Sequence, residues 1–200
     1  MRNLLSTKDQ RQLRLMEILI QNRNWLRLHS LAEQLGCTER ILKNDLNELR
    51  TAFPNIDIQS SVNGIMIDLD VNTSVEDVYQ YFLAHSQSFQ LLEYMFFNEG
   101  LPIYRTVENL HSSNANLYRL GRNITKTLSS QFQIELSFTP TAILGNEMDI
   151  RYFFAQYFSE RYYFLDWPFP DLPEEDLTEF ADFFYKITNY PMRFSIYRMY

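Results

Sequence analysis

Residues 30–50 read Ser30-Leu-Ala-Glu-Gln-Leu-Gly-Cys-Thr-Glu-Arg-Ile-Leu-Lys-Asn-Asp-Leu-Asn-Glu-Leu-Arg50, and residues 105–125 read Arg105-Thr-Val-Glu-Asn-Leu-His-Ser-Ser-Asn-Ala-Asn-Leu-Tyr-Arg-Leu-Gly-Arg-Asn-Ile-Thr125. Shifted by 75 positions without a gap, Ala32 falls on Val107, Glu33 on Glu108, Leu35 on Leu110, Leu42 on Leu117 and Leu49 on Ile124. Each stretch predicts a short amphipathic helix, a tight turn closed by a hydroxyl cap (Thr38 or Ser113), and a longer helix. That is the form of a helix-turn-helix, whose second helix fits the DNA major groove. Gly36 suits a turn position of positive φ, and His111, which replaces it in the second copy, tolerates that backbone better than most side chains.

Working outward, a capping box at Thr7-x-x-Gln10 predicts a helix to about Asn22, with Leu13, Met16, Leu19 and Ile20 on one face. The long helix of the first copy should end near Phe53, before Pro54. Ile56–Gln59 and Gly64–Leu69 are β-favouring runs around Asn63-Gly64, a hairpin turn signal. Three helices and a hairpin make a winged helix. The pattern then recurs: Thr73-x-x-Glu76 caps a linking helix, residues 88–98 form an opening helix, residues 104–130 the second helix-turn-helix, and residues 134–144 a shorter wing. The expected domains are a first winged helix at 1–70, a linker helix and second winged helix at 71–145, and an aromatic-rich helical segment at 146–200. The fold class is mainly α with small β-hairpin wings.

The net charge of -7 opposes nucleic-acid binding until its distribution is seen. Residues 1–50 hold nine Lys/Arg against six Asp/Glu, a local excess of cations, while the later segments are acidic. Residues 114–131 hold Arg119, Arg122 and Lys126 and no acid, and a local field decides a docking surface. One cysteine and no secretory leader fit a reducing cytoplasm. No apolar run approaches the roughly 20 residues needed to span a bilayer. Nothing nominates a nucleophile–base pair, a metal site, a phosphate loop or a cofactor, so the reading is not an enzyme. Cys37 reads as a small turn residue rather than a redox thiol.

On the first long helix, about 100° per residue places Leu46, Leu49 and Phe53 beside Leu42 as the buried stripe. Arg40, Lys43, Asn44, Asn47 and Thr51 then face outward, with Asp45 and Glu48 on a separate flank. The second helix buries Leu117, Leu120, Ile124 and Leu128 and presents Tyr118, Arg119, Arg122 and Lys126. Arg reads guanine and Asn reads adenine in the major groove, and Lys serves phosphate. With Thr38 and Ser113 at the helix starts, these are the candidate DNA-binding residues. Wings at Asn63-Gly64 are expected against the flanking minor groove or backbone.

From Asn146 the composition shifts: 18 of the 31 aromatic residues lie in the last 55 positions. A helix is expected over about 147–164, and another opens at Asp171-Leu-Pro-Glu-Glu-Asp. These aromatics are read first as core packing, but 55 residues carry too few partners to bury them all. Phe153, Phe154, Tyr157, Phe158, Phe180, Phe183 and Phe184 are therefore expected to build an apolar surface for homodimerisation, or to be buried in a longer chain.

Leu91-Leu-Glu-Tyr-Met-Phe96, Tyr118-Arg119 in the second recognition helix, and Ile143-Leu-Gly-Asn-Glu-Met-Asp-Ile-Arg151 together resemble the Mga family of Gram-positive transcription regulators, which includes AtxA. The resemblance implies two DNA-binding domains followed by domains similar to the regulation domains of phosphotransferase-controlled regulators. It implies a virulence-type activator, with phosphotransferase-system proteins as partners of a longer parent chain. No histidine follows His111, so phosphohistidine control does not reside in residues 112–200. The expected function is a DNA-binding transcriptional activator with double-stranded DNA as partner. The alternatives are a plasmid replication initiator with tandem winged helices and a protein-interaction module without DNA binding.

Overall fold

A computed structural model of the chain describes residues 1–68, 74–163 and 167–188. After a short 3-10 turn at Arg2–Leu4 come α1 (Thr7–Asn22), α2 (Leu28–Gln34), α3 (Glu39–Ala52), β1 (Asp57–Ser61) and β2 (Gly64–Asp68). Next come α4 (Val75–His85), α5 (Gln87–Phe97), α6 (Ile103–Asn109), α7 (Asn114–Ser129), β3 (Glu135–Phe138) and β4 (Thr141–Leu144). Helices α8 (Glu147–Arg161) and α9 (Glu174–Thr188) follow. The fold is mainly α with two antiparallel hairpins, one closing each helix-turn-helix. Residues 1–146 form one compact unit, and the chain from Glu147 forms another.

Two caps lie one residue from their expected places. Ser6, not Thr7, starts α1: its Oγ accepts the Asp9 N–H at 3.1 Å and donates to the Asp9 carboxylate at 2.7 Å. A carboxylate accepts more strongly than the Gln10 amide and suits the positive end of the helix, so the Ser6–Asp9 pair wins. Gln10 turns instead to the Leu5 carbonyl at 2.8 Å. The linking helix is capped by Ser74 with Asp77 in a reciprocal box, while Thr73 lies outside the described residues.

Helix α1 buries Leu15 and Ile18 as well as its expected face, because α3 and α4 both pack against it. Each such side chain contributes about 1.5–3 kcal/mol when removed from water. Phe53 lies 4.5 Å from Tyr81 and 6.3 Å from Phe82, ring centre to ring centre, so α4 docks on the end of α3. The Arg2 guanidinium sits 5.2 Å above the Tyr79 ring, joining the N-terminal turn to the same helix.

The first wing turns at Val62-Asn63, since Ser61 pairs with Gly64. Gly64 meets a different demand. Leu26 and Ile65 exchange backbone hydrogen bonds at 2.8 Å each, adding a one-residue third strand to the wing. Gly64 has φ +125°, and a Cβ there would lie 2.1 Å from the Leu26 carbonyl oxygen. The second wing is tied to its connector in a similar way, though not by a reciprocal pair: Gly100 N–H donates to the Thr141 carbonyl at 2.7 Å, and Thr141 N–H to the Leu101 carbonyl at 3.3 Å.

In the second unit, Phe153, Phe154, Tyr157 and Phe158 are buried, and Phe158 lies 4.8 Å from Phe169. Helix α8 ends at Arg161, short of the expected end; residues 164–166 lie outside the described ones. On α9, Phe180 and Phe183 are exposed. The expected aromatic surface is thus divided, with its α8 half buried.

Candidate nucleic-acid interface

The two helix-turn-helix turns are built by the same bonds, 75 positions apart. Leu35 N–H donates to Leu31 O at 3.0 Å, Gly36 to Glu33 at 3.1 Å and Cys37 to Ala32 at 2.9 Å. In the second copy Leu110 donates to Thr106 at 3.0 Å, His111 to Glu108 at 3.3 Å and Ser112 to Val107 at 3.1 Å. Gly36 has φ +61° and His111 φ +45°, so both occupy the left-handed turn position. Thr38 Oγ1 accepts the Ile41 N–H at 3.3 Å, and Ser113 Oγ the Asn116 N–H at 3.2 Å. These two hydroxyls fix where α3 and α7 begin.

All eleven candidate residues are exposed: Thr38, Arg40, Lys43, Asn44, Asn47 and Thr51 on the first unit, and Ser113, Tyr118, Arg119, Arg122 and Lys126 on the second. The buried stripe beneath α3 is Leu42, Leu46 and Leu49, with Phe53 half-buried. Under α7 it is Leu117, Ile124 and Leu128, while Leu120, about 60° off the stripe's axis, is only half-buried. Gly121 fills the place of Leu46. A Cβ there would lie 2.4 Å from the Phe138 ring, which the second wing inserts into the space a leucine would take.

The exposed groups differ in readiness. No salt bridge holds Arg40, Lys43, Arg122 or Lys126 among the described residues. Asn47 accepts from Arg50 Nη1 at 3.1 Å through Oδ1, the atom a paired contact to adenine requires, whereas the Asn44 side chain has no such partner among the described residues. The Thr51 hydroxyl is turned back onto the Asn47 carbonyl at 3.1 Å. Arg119 donates to Asn116 at 2.7 Å and keeps its other N–H groups. Tyr118 lies edge-on to Phe138 with centroids 5.1 Å apart, so its ring supports the wing.

Several supporting residues were not legible in the sequence. Arg50 hooks α3 to its wing, donating to the Ile58 carbonyl at 2.9 Å and to Ser60 Oγ at 2.5 Å. The equivalent position of α7, Thr125, makes the same link with other chemistry, accepting the Leu136 N–H at 3.0 Å. The flank of α3 is anchored to α1: Arg11 donates to both oxygens of the buried Asp45 at 2.6 and 3.1 Å, and Gln12 bridges Asp45 and Glu48 at 3.1 and 2.7 Å. Lys8 pairs with Glu48 at 2.5 Å. The hydrogen bond to Asp45 raises the Arg11 pKa, and hydrogen bonds from Lys8 and then Gln12 hold Glu48 below the usual carboxylate value. Burial pushes the Cys37 thiol up, which keeps it protonated and poorly nucleophilic.

Comparison with known proteins places family models along the chain in order. The M protein trans-acting positive regulator (MGA) HTH domain matches residues 6–65, the Mga helix-turn-helix domain residues 71–158, and the M protein trans-acting positive regulator (MGA) PRD domain residues 173–200. The chain belongs to the Mga/AtxA-like family. A Streptococcus pneumoniae serotype 4 protein named as a trans-acting regulator is 47 % identical to this Mga-like chain over 199 residues, covering 100 % of it and 40 % of the relative. The capsule synthesis positive regulator AcpA of Bacillus anthracis is 25 % identical over 179 residues, covering 86 % of the chain and 36 % of the relative. The anthrax toxin expression trans-acting positive regulator of the same organism is 23 % identical over 187 residues, covering 91 % and 38 %. The chain therefore spans about two fifths of the length of these relatives.

The Mga/AtxA-like family is one of transcriptional regulators. In this member, the Gly145-Asn146-Glu147…Arg151 sequence closes the first turn of α8: Arg151 Nε donates to Glu147 at 2.7 Å. Among the described residues no helix is long and apolar enough to cross a membrane, and no cluster of three or more His, Cys, Asp or Glu is arranged to hold a metal ion.

Proposed function

We propose that the chain binds double-stranded DNA through the outer faces of α3 and α7 and acts in the cytoplasm as a positive regulator of transcription. The observation that carries this reading is the repeated turn network, which aims two helices outward, each bearing cations that no carboxylate neutralises among the described residues. Equivalent positions hold different chemistry. Arg40, Lys43, Asn44, Asn47 and Thr51 correspond to Ala115, Tyr118, Arg119, Arg122 and Lys126. The two units therefore read unlike half-sites, and the stretch that one chain occupies is not itself a palindrome. Positive regulation rests on the names of the two Bacillus anthracis relatives.

The PRD match supports phosphotransferase-system proteins as partners of a longer parent chain, and the exposed aromatics of α9 support a homodimer through the C-terminal region. The test is to sequence the DNA fragments that the chain retains in cells, then to measure affinity for them. Arg40→Ala/Lys43→Ala/Asn44→Ala is expected to lose at least tenfold in affinity while remaining folded. Wild-type affinity in that variant overturns the reading.

A further inference from the structure

The two units differ in one respect that leaves a cleft. Helix α5 begins at Gln87, the counterpart of Gln12, so the first five helical residues of α1 have no equivalent at its start. In the first unit that segment supplies Lys8 and Arg11, which cover Glu48 and Asp45 on the flank of α3. At the matching positions α7 carries Asn123 and Leu120, and this flank is approached by the 3-10 turn of Arg2–Leu4 rather than by a full α-helical turn. The result is a cleft of about 730 Å³ bounded by the start of α1, the start of α5 and the flank of α7.

Its walls hold donors. Ser86 and Ser88 line it and are 3 % and 7 % exposed, and neither hydroxyl makes a hydrogen bond among the described residues. Ser86 is the N-cap of α5, an 11-residue helix, but its side chain makes no capping bond, so the N–H groups of Gln87 and Ser88 have no acceptor in the Ser86 hydroxyl. Arg119 and Lys126 enter from α7. The acid at the rim, Asp9, is engaged in the α1 cap. Two hydroxyls open to the cleft, beside a helix start that its N-cap side chain leaves uncapped and two cations, suit an acceptor-rich anion.

We propose that this cleft binds a phosphate group. A phosphate presents enough acceptor oxygens for serines, helix N–H groups and cations approaching from different walls. The cleft also has room for whatever bears it, either the backbone of duplex DNA lying along α7 or a free phosphorylated solute. The first source rests on the DNA reading above, because Arg119 and Lys126 serve both; the second does not.

The test is an amide-resolved NMR titration of the full chain with inorganic phosphate at constant ionic strength. Saturable shifts are expected at Gln87 and Ser88. They should weaken at least tenfold in Gln87→Glu, which changes an exposed residue, and in Ser86→Asp, which places a favourable cap and a competing carboxylate at the same point. Shifts that do not saturate, or that survive in both folded variants, overturn the site. Duplex binding then assigns the source. If backbone phosphate is the occupant, Gln87→Glu weakens duplex binding and lowers the salt slope by about one. If a solute is the occupant, the salt slope of duplex binding is unchanged. Saturable phosphate uptake by a chain that binds no duplex upholds the cleft and removes the DNA reading alone.

Discussion

A methyl group at position 64 would lie 2.1 Å from the Leu26 carbonyl oxygen, on a backbone at φ +125° that side chains rarely adopt. Gly64→Ala is accordingly expected to destabilise the chain by about 2 kcal/mol or more, read as a lowered unfolding midpoint. Asn63-Gly64 marks a hairpin in the sequence, and the hairpin is there, but the glycine serves the approach of Leu26. A bridge of one residue has no periodicity, so nothing in Trp25-Leu-Arg-Leu28 announces it. The left-handed turn positions were legible, because Gly36 is permissive and His111 aligns with it. Cys37, whose burial raises its pKa, should react with iodoacetamide more slowly than a free thiol at neutral pH. A rate equal to that of free cysteine would contradict its environment.

Among elements, the contact between α1 and α3 is a polar seam. The helical wheel separated Asp45 and Glu48 from both the stripe and the outer face, but a wheel of one helix cannot name the partners another helix brings. Asp45→Ala leaves Arg11, itself largely buried, without its bidentate acceptor, and should cost about 3 kcal/mol in denaturant unfolding. Glu48 has a depressed folded pKa, so its stabilisation is complete above its ordinary value of 4.5 and is lost as pH falls through the lower folded value. Because half of its side chain is exposed, screening makes this contribution small. Glu48→Gln should flatten the acid limb of the stability profile below pH 4.5 and leave neutral stability nearly unchanged. Helix boundaries were legible to within a few residues. The misplaced caps have a common cause: in Ser6-Thr7 and Thr73-Ser74 two adjacent hydroxyls each have an acceptor three residues on, and single-sequence reading cannot rank them.

At the scale of the molecule, the aromatic segment divides into buried rings on α8 and exposed rings on α9. Self-association through Phe180 and Phe183 predicts a particle larger than 24.0 kDa in light scattering at micromolar concentration, and a monomer for the chain cut after Gly145. A monomeric full chain would rule out the α9 contact. Which aromatics stay exposed was not legible, since composition counts rings without assigning neighbours. One further consequence belongs to Ser86, which alone separates α4 from α5. The first winged helix grips α4 through Phe53 on Tyr81 and Arg2 over Tyr79, and α4 passes at once into the opening helix of the second. Such a joint behaves as a ruler rather than a tether. Inserting about five base pairs between the two half-sites turns one to the far side of the duplex, and about ten restores the side but not the distance. Both insertions should therefore abolish joint occupancy in a footprint, where a flexible tether would forgive the second.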